Sequence, residues 1–139
     1  MEENDFRDRL IHDLESRGIN VVNLRNGTFD LIVEGVRPFV CEVKQITDAG
    51  LRGFREKEKG FTFSSEQTRE ILKIQFPPFV VAYSDNDCFF LDPEWVKREV
   101  TDLKGYERAI MYFSVRPFPQ PKAYDDILSE IVSFVTART

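Results

Sequence analysis

The sequence predicts an α/β fold in which strands and helices build a single domain over residues 1–139. Three observations predict it. First, two runs of β-branched and aromatic residues, 29–33 and 39–43, flank Glu34-Gly35-Val36-Arg37-Pro38. That pattern reads as a hairpin whose connection is longer than two residues. Second, two more strand-like runs, 79–83 and 88–91, stand on either side of a polar turn. Third, apolar residues recur at helical spacing near both ends of the chain.

Taken in order, residues 4–17 are expected to form a helix, with Phe6, Leu10, Ile11 and Leu14 on its apolar face, His12 on its polar side and Gly18 as its stop. Residues 19–24 read as the first strand, and Arg25-Asn26-Gly27 as a turn into the hairpin. Beyond Ile46 the chain changes character. Residues 48–60 mix Gly50, Gly53 and Gly60 with basic and acidic groups, show no apolar period, and read as a loop. Ser64 or Ser65 then caps a helix running to about Gln75, and Ser64 and Gln67 have the spacing of a capping box. Ile71, Leu72 and Phe76 are its expected buried side, and Pro77-Pro78 ends it.

Residues 79–83 and 88–91 read as strands joined by Ser84-Asp85-Asn86-Asp87, whose acids lack the spacing of a calcium hand. Asp92 is placed to cap, and Pro93 to open, a helix over 94–100, with Trp95 against the sheet edge. Residues 109–115 read as a last strand, 116–121 as an extended proline-rich piece, and 123–137 as a terminal helix. On that helix Ile127, Leu128, Ile131 and Val135 either close the core or form a dimer seam.

Composition narrows the class. At 42% hydrophobic and 31% charged, the chain has the balance of a globular domain able to bury its own core. No apolar run reaches membrane-spanning length, and the acidic start Met-Glu-Glu-Asn-Asp lacks the pattern of a signal peptide, so a cytoplasmic protein is expected. Cys41 and Cys88 lie in apolar runs and read as small buried hydrophobes. With His12 as the sole histidine, the usual Cys/His spacings of a zinc site are missing. A net charge of −5 argues against a protein that coats nucleic acid nonspecifically, though it leaves room for a local basic patch.

The chemistry concentrates in the hairpin. Side chains alternate along a strand, so Glu42 and Lys44 point to one face and Cys41 and Val43 to the other. Asp30 lies on the partner run, where it can stand opposite Glu42. Two carboxylates held together repel, and a hard divalent cation with oxygen ligands relieves that repulsion. Lys44 would then stand one strand step from the ion, able to orient a water or stabilise charge growing on a phosphate. The bland alternative is a Glu42–Lys44 pair on a solvated face, with Asp30 a polar residue at a strand end. Against it, the flanking residues are apolar on both faces: Phe29, Leu31 and Val33 on one, Ile32 on the other.

Asp30, an eleven-residue gap, and then Glu42-Val43-Lys44 resembles the signature of the PD-(D/E)XK nuclease superfamily, and no second E-x-K occurs in the chain. From about Phe6 to Trp95 the order of elements is similar to that of the archaeal Holliday junction resolvases. The resemblance implies a restriction-endonuclease-like fold: a central mixed β-sheet flanked by helices (an αβββαβ core), here with an extra C-terminal strand and helix. It implies a Mg²⁺- or Mn²⁺-dependent endonuclease acting on DNA, with RNA left open, no membrane, and assembly as a homodimer. Asp30, Glu42 and the backbone carbonyl of Val43 would hold the metal, and Lys44 would position the hydrolytic water. Gln67 matches a glutamine that the resolvases carry near the catalytic lysine. A glutamate on the first helix joins the metal site in those proteins. Arg7 falls at that place here, and Glu3, one turn earlier on the same face, would be its substitute.

Arg25 and Asn26 at the mouth of the site, and Arg52, Arg55, Lys57 and Lys59 in the loop that leaves the motif strand, are the expected nucleic-acid contacts, with Phe54 and Phe61 stacking on unpaired bases. Turn chemistry and a solvated loop are the alternatives for these residues. Two further readings of the whole chain stay open: a nuclease fold that binds without turnover, and an unrelated α/β protein with an accidental motif.

Overall fold

The structure is a computed structural model and describes residues 1–25, 27–48, 59–102, 109–112 and 118–137. Its five-stranded sheet is built from β1 (Val21–Asn23), β2 (Leu31–Glu34), β3 (Pro38–Gln45), β6 (Phe79–Tyr83) and β7 (Cys88–Leu91), in that spatial order. Only β3 and β6 run parallel, so the sheet is mixed. Helices α1 (Glu3–Ser16), α2 (Ser65–Lys73), α3 (Pro93–Asp102) and α4 (Tyr124–Thr136) flank it. A second sheet holds β4 (Thr47–Asp48), β5 (Lys59–Phe63) and β8 (Ala109–Tyr112).

Alternation along the strands divides the core in two. Cys41 and Val43 of β3 and Phe79, Val81 and Tyr83 of β6 pack with Phe6, Leu10 and Leu14 of α1 and with the apolar face of α4. Val80 and Ala82 of β6 turn the other way, to Ile71 of α2, Trp95, Val96 and Val100 of α3, and Phe61 and Phe63 of β5. Strand β6 is buried on both faces, as a central strand reading Phe-Val-Val-Ala-Tyr should be.

The expected elements appear in the expected order, with two short strands, β4 and β5, added among them; of the strand expected over 109–115, residues 113–115 lie outside the described residues. Gly18 ends α1 with φ of 83°, its amide bonded to the Glu15 carbonyl and the Ile19 amide to that of Leu14, a glycine-terminated helix end. The four apolar residues expected on the last helix are all buried, so α4 closes the core with that face. Its last turn lies directly on the β2–β3 connection: the Val36 amide donates to the Val135 carbonyl at 2.8 Å.

Several expectations fail for identifiable reasons. The segment read as a loop over 48–60 begins and ends in strand, because Asp48 pairs with Lys59 and Thr47 with Gly60. Phe61 is 3% exposed and packs edge-on to Phe63 and Phe118, so it belongs to the core and cannot stack on bases. Phe76 was expected inside; it is 54% exposed, beyond the end of α2, with the Arg37 guanidinium over its ring. Phe29 packs in the second cluster, opposite Leu31 and Val33, since residues 29–30 bend before β2 begins. Trp95, by contrast, is buried in the cluster that also holds Phe89 and Leu91 of β7, an edge strand of the sheet. Cys88 is only half-buried.

Candidate active site

The antiparallel ladder between β2 and β3 stops at the Leu31–Cys41 pair. Beyond it the two strands are joined by side chains. The Asp30 amide donates to Glu42 Oε1 at 3.0 Å, and the Val43 amide donates to Asp30 Oδ2 at 2.8 Å. Each carboxylate thus accepts an amide of the opposite segment, and this reciprocal pair fixes the two acids side by side. Leu24 completes the turn by donating its amide to the Asp30 carbonyl at 2.8 Å.

Lys44, two residues along β3 and on the same face as Glu42, brings its Nζ to 3.4 Å from Glu42 Oε2. That ammonium is held by two neutral acceptors, the Thr62 carbonyl and Gln67 Oε1, both at 2.9 Å. It also lies 5.3 Å from the centre of the Phe63 ring. Gln67 is engaged on both sides. Its Oε1 accepts from Lys44 and from the Ser64 amide, while its Nε2 donates to the Thr28 carbonyl and to Glu42 Oε2. Ser64 accepts the Gln67 amide in return, completing the capping box at the start of α2. One side chain therefore both caps a helix and ties the lysine to the glutamate.

Burial sets the charge state. Glu42 is 4% exposed, and its pKa is raised to about 8, chiefly by burial and by sharing a hydrogen bond with Asp30. Lys44 and Gln67 pull it the other way without overcoming those effects. The group is not sealed off. Asp30, Glu42, Lys44 and Gln67 line an open cleft of ≈ 500 Å³, with Glu3 and Gly27 at its sides.

No family model and no curated protein matches the chain. Among solved structures it is similar to a bacterial homing endonuclease, I-Ssp6803I, at 11% identity over 94% of each chain and a TM-score of 0.44. A likeness of that degree says nothing of activity.

Of the residues singled out in the sequence, Asp30, Glu42, Lys44 and Gln67 come together and Val43 joins them through its backbone. Glu3 faces the same cleft, but its carboxylate accepts the Gln45 amide at 3.2 Å. Among the described residues no three His, Cys, Asp or Glu side chains gather closely enough to hold a metal ion. Arg7 is the α1 residue that reaches the pair, its Nη1 3.9 Å from Asp30 Oδ1. Arg25 is exposed in the turn after β1 and does not line the cleft. The contacts expected of Asn26, Arg52, Arg55 and Lys57, and of the Lys59 side chain, lie outside the described residues. The Thr28 and Thr62 carbonyls, which anchor Gln67 and Lys44, have no side-chain signal by which a sequence could announce them. Among the described residues no helix is long and apolar enough to cross a membrane.

Proposed function

We propose that this chain is a divalent-metal-dependent endonuclease of the PD-(D/E)XK type that hydrolyses phosphodiester bonds in DNA. One observation carries the reading: Asp30, Glu42 and Lys44 meet at a single point of an open cleft, with Gln67 joining the lysine to the glutamate. The donors suit the ion. Two carboxylates and the Val43 carbonyl are hard oxygen ligands, few enough to leave room for water and phosphate, as Mg²⁺ or Mn²⁺ requires. When bound, the ion would neutralise charge at the scissile phosphate and make water a better nucleophile.

The chain's own residues divide the remaining work. Asp30 and Glu42 are held in place before any ion arrives, because each accepts an amide from the opposite segment. Lys44 has two of its three N–H groups engaged by the Thr62 carbonyl and Gln67. That anchoring aims its charge at the carboxylate pair, where it orients a water and offsets charge developing on phosphate. Gln67 keeps lysine and glutamate in register.

The test is a cleavage panel: supercoiled, single-stranded, flap and four-way-junction DNA, and RNA, each with Mg²⁺ or Mn²⁺, with Asp30→Asn as control. Metal-dependent cutting that the control lacks supports the reading; no cutting of any substrate overturns it. Preference for the four-way junction, and a dimer by sedimentation, would extend the likeness to resolvases.

A second reading, a nuclease fold that binds without turnover, is favoured by Arg7. It places a cation beside Asp30 where the resolvases carry a glutamate. Calorimetric titration with Mn²⁺ separates the two, since a binding module has no need to hold the ion.

A further inference from the structure

We infer that Arg7 sets the metal affinity of this site by placing a resident positive charge against Asp30; the inference rests on the metal-site reading above. The Arg7 guanidinium stands 3.9 Å from Asp30 Oδ1 and its side chain is 21% exposed, so solvent screens it only in part. Its Nε is buried without a hydrogen-bond partner, and the acid beside it on α1, Asp8, lies 3.8 Å from that atom. Arg7 is thus held near Asp30 by charge more than by hydrogen-bond geometry.

Lys44 stands in the same relation to Glu42, at 3.4 Å. Each carboxylate of the pair therefore has a cation of its own. An entering divalent ion therefore meets a cation beside each acid, and Glu3 lines the same cleft. Without Arg7 the same ion would meet one more uncompensated negative charge at the ligand itself.

The two cations are not equivalent. Lys44 lines the cleft, whereas Arg7 does not and approaches Asp30 from the α1 side. Its influence on a bound ion is electrostatic, and removing its charge leaves the cleft-facing groups in place. A guanidinium is charged at every pH the fold survives, so this influence cannot be titrated away.

The measurement is calorimetric titration of Mn²⁺ into the metal-free full chain, as wild type and as Arg7→Gln, Arg7→Met and Arg7→Lys. A cooperative thermal melt shows that each variant is folded. Two neutral replacements are used so that a folding failure of one leaves the other to decide. Arg7→Gln and Arg7→Met are expected to bind Mn²⁺ about tenfold tighter than wild type, and Arg7→Lys to stay within about twofold of it. If wild type binds and the neutral variants bind no tighter, or Arg7→Lys tightens as much as they do, this inference falls while the metal site stands. If neither wild type nor any variant binds Mn²⁺, both fall together.

Discussion

The Asp30 amide donates to the Glu42 carboxylate at 3.0 Å, so a side chain takes the place of a backbone acceptor where the β2–β3 ladder gives out. The Val43 amide does the same with the Asp30 carboxylate at 2.8 Å. The acids thus help to hold the fold, and under the proposed function they would also hold the metal, so variants must be chosen to separate these roles.

Asp30→Asn does so. Asparagine keeps an oxygen that can accept the Val43 amide, so the fold should survive within about 1 kcal/mol. It removes the charge that a divalent ion needs. Cleavage is expected to fall by about 10²-fold or more, as when a preorganised electrostatic group is lost. Lys44→Ala should cost a similar factor, with a melt close to wild type. Plasmid nicking and thermal unfolding, measured on the same preparations, check both.

The raised pKa of Glu42 has consequences with a definite sign. Its ordinary value is 4.5 and its folded value about 8. Between these the native state keeps a proton that the unfolded chain releases. The associated stability is fully present below 4.5 and is lost as pH rises through about 8. Metal-free protein should therefore melt at lower temperature as pH goes from about 6 to about 9, and Glu42→Gln should flatten that trend. A divalent ion needs the ionised carboxylate, so its binding should release a proton and tighten about tenfold per pH unit below that pKa. Calorimetry in buffers of different ionisation enthalpy counts the proton.

How much of this was legible in the sequence depends on how local the cause is. Alternation along β3 put Glu42 and Lys44 on one face, and hairpin pairing put Asp30 opposite Glu42; both follow from neighbours in the chain. Gln67 announced itself by its distance from Ser64. The second sheet did not. Thr47–Asp48 is too short to show a period, and β5 is stabilised by β8, far along the chain. Phe61 looked available for stacking on bases because the ring that helps bury it, Phe118, is equally remote. Arg7 could be placed on its helix, but its approach to Asp30 depends on how α1 docks against the sheet, which no local pattern records.

The β2–β3 connection offers a test of packing away from the chemistry. A Cβ on Gly35 would fall 1.9 Å from the Val135 carbonyl oxygen, at the end of α4, where only backbone can yield. Gly35→Ala should destabilise the protein by about 1–3 kcal/mol or more, an overpacking cost. At Gly18 nothing crowds a new Cβ and only the positive φ of 83° resists it. Gly18→Ala should therefore cost closer to about 1 kcal/mol. Urea titrations of the two variants rank them.

Gln67 and Ser64 share one capping box, and this makes them separable. Ser64→Ala removes the acceptor of the Gln67 amide at 3.1 Å and should cost about 1 kcal/mol, the usual loss of an N-cap. The Gln67 side chain would still reach Lys44, Glu42 and the Thr28 carbonyl, so Mn²⁺ affinity and cleavage should stay near wild type. Gln67→Ala removes all of those contacts. It leaves the buried Glu42 with the Asp30 amide but without its side-chain amide donor, and Lys44 with a single neutral acceptor. The stability loss should be about 1–3 kcal/mol, and cleavage should fall by more than that loss accounts for. If the two variants proved alike in stability and in cleavage, Gln67 would be a cap and nothing else. The link between helix α2 and the carboxylate pair would then be incidental, and Lys44 would owe its position to the Thr62 carbonyl alone.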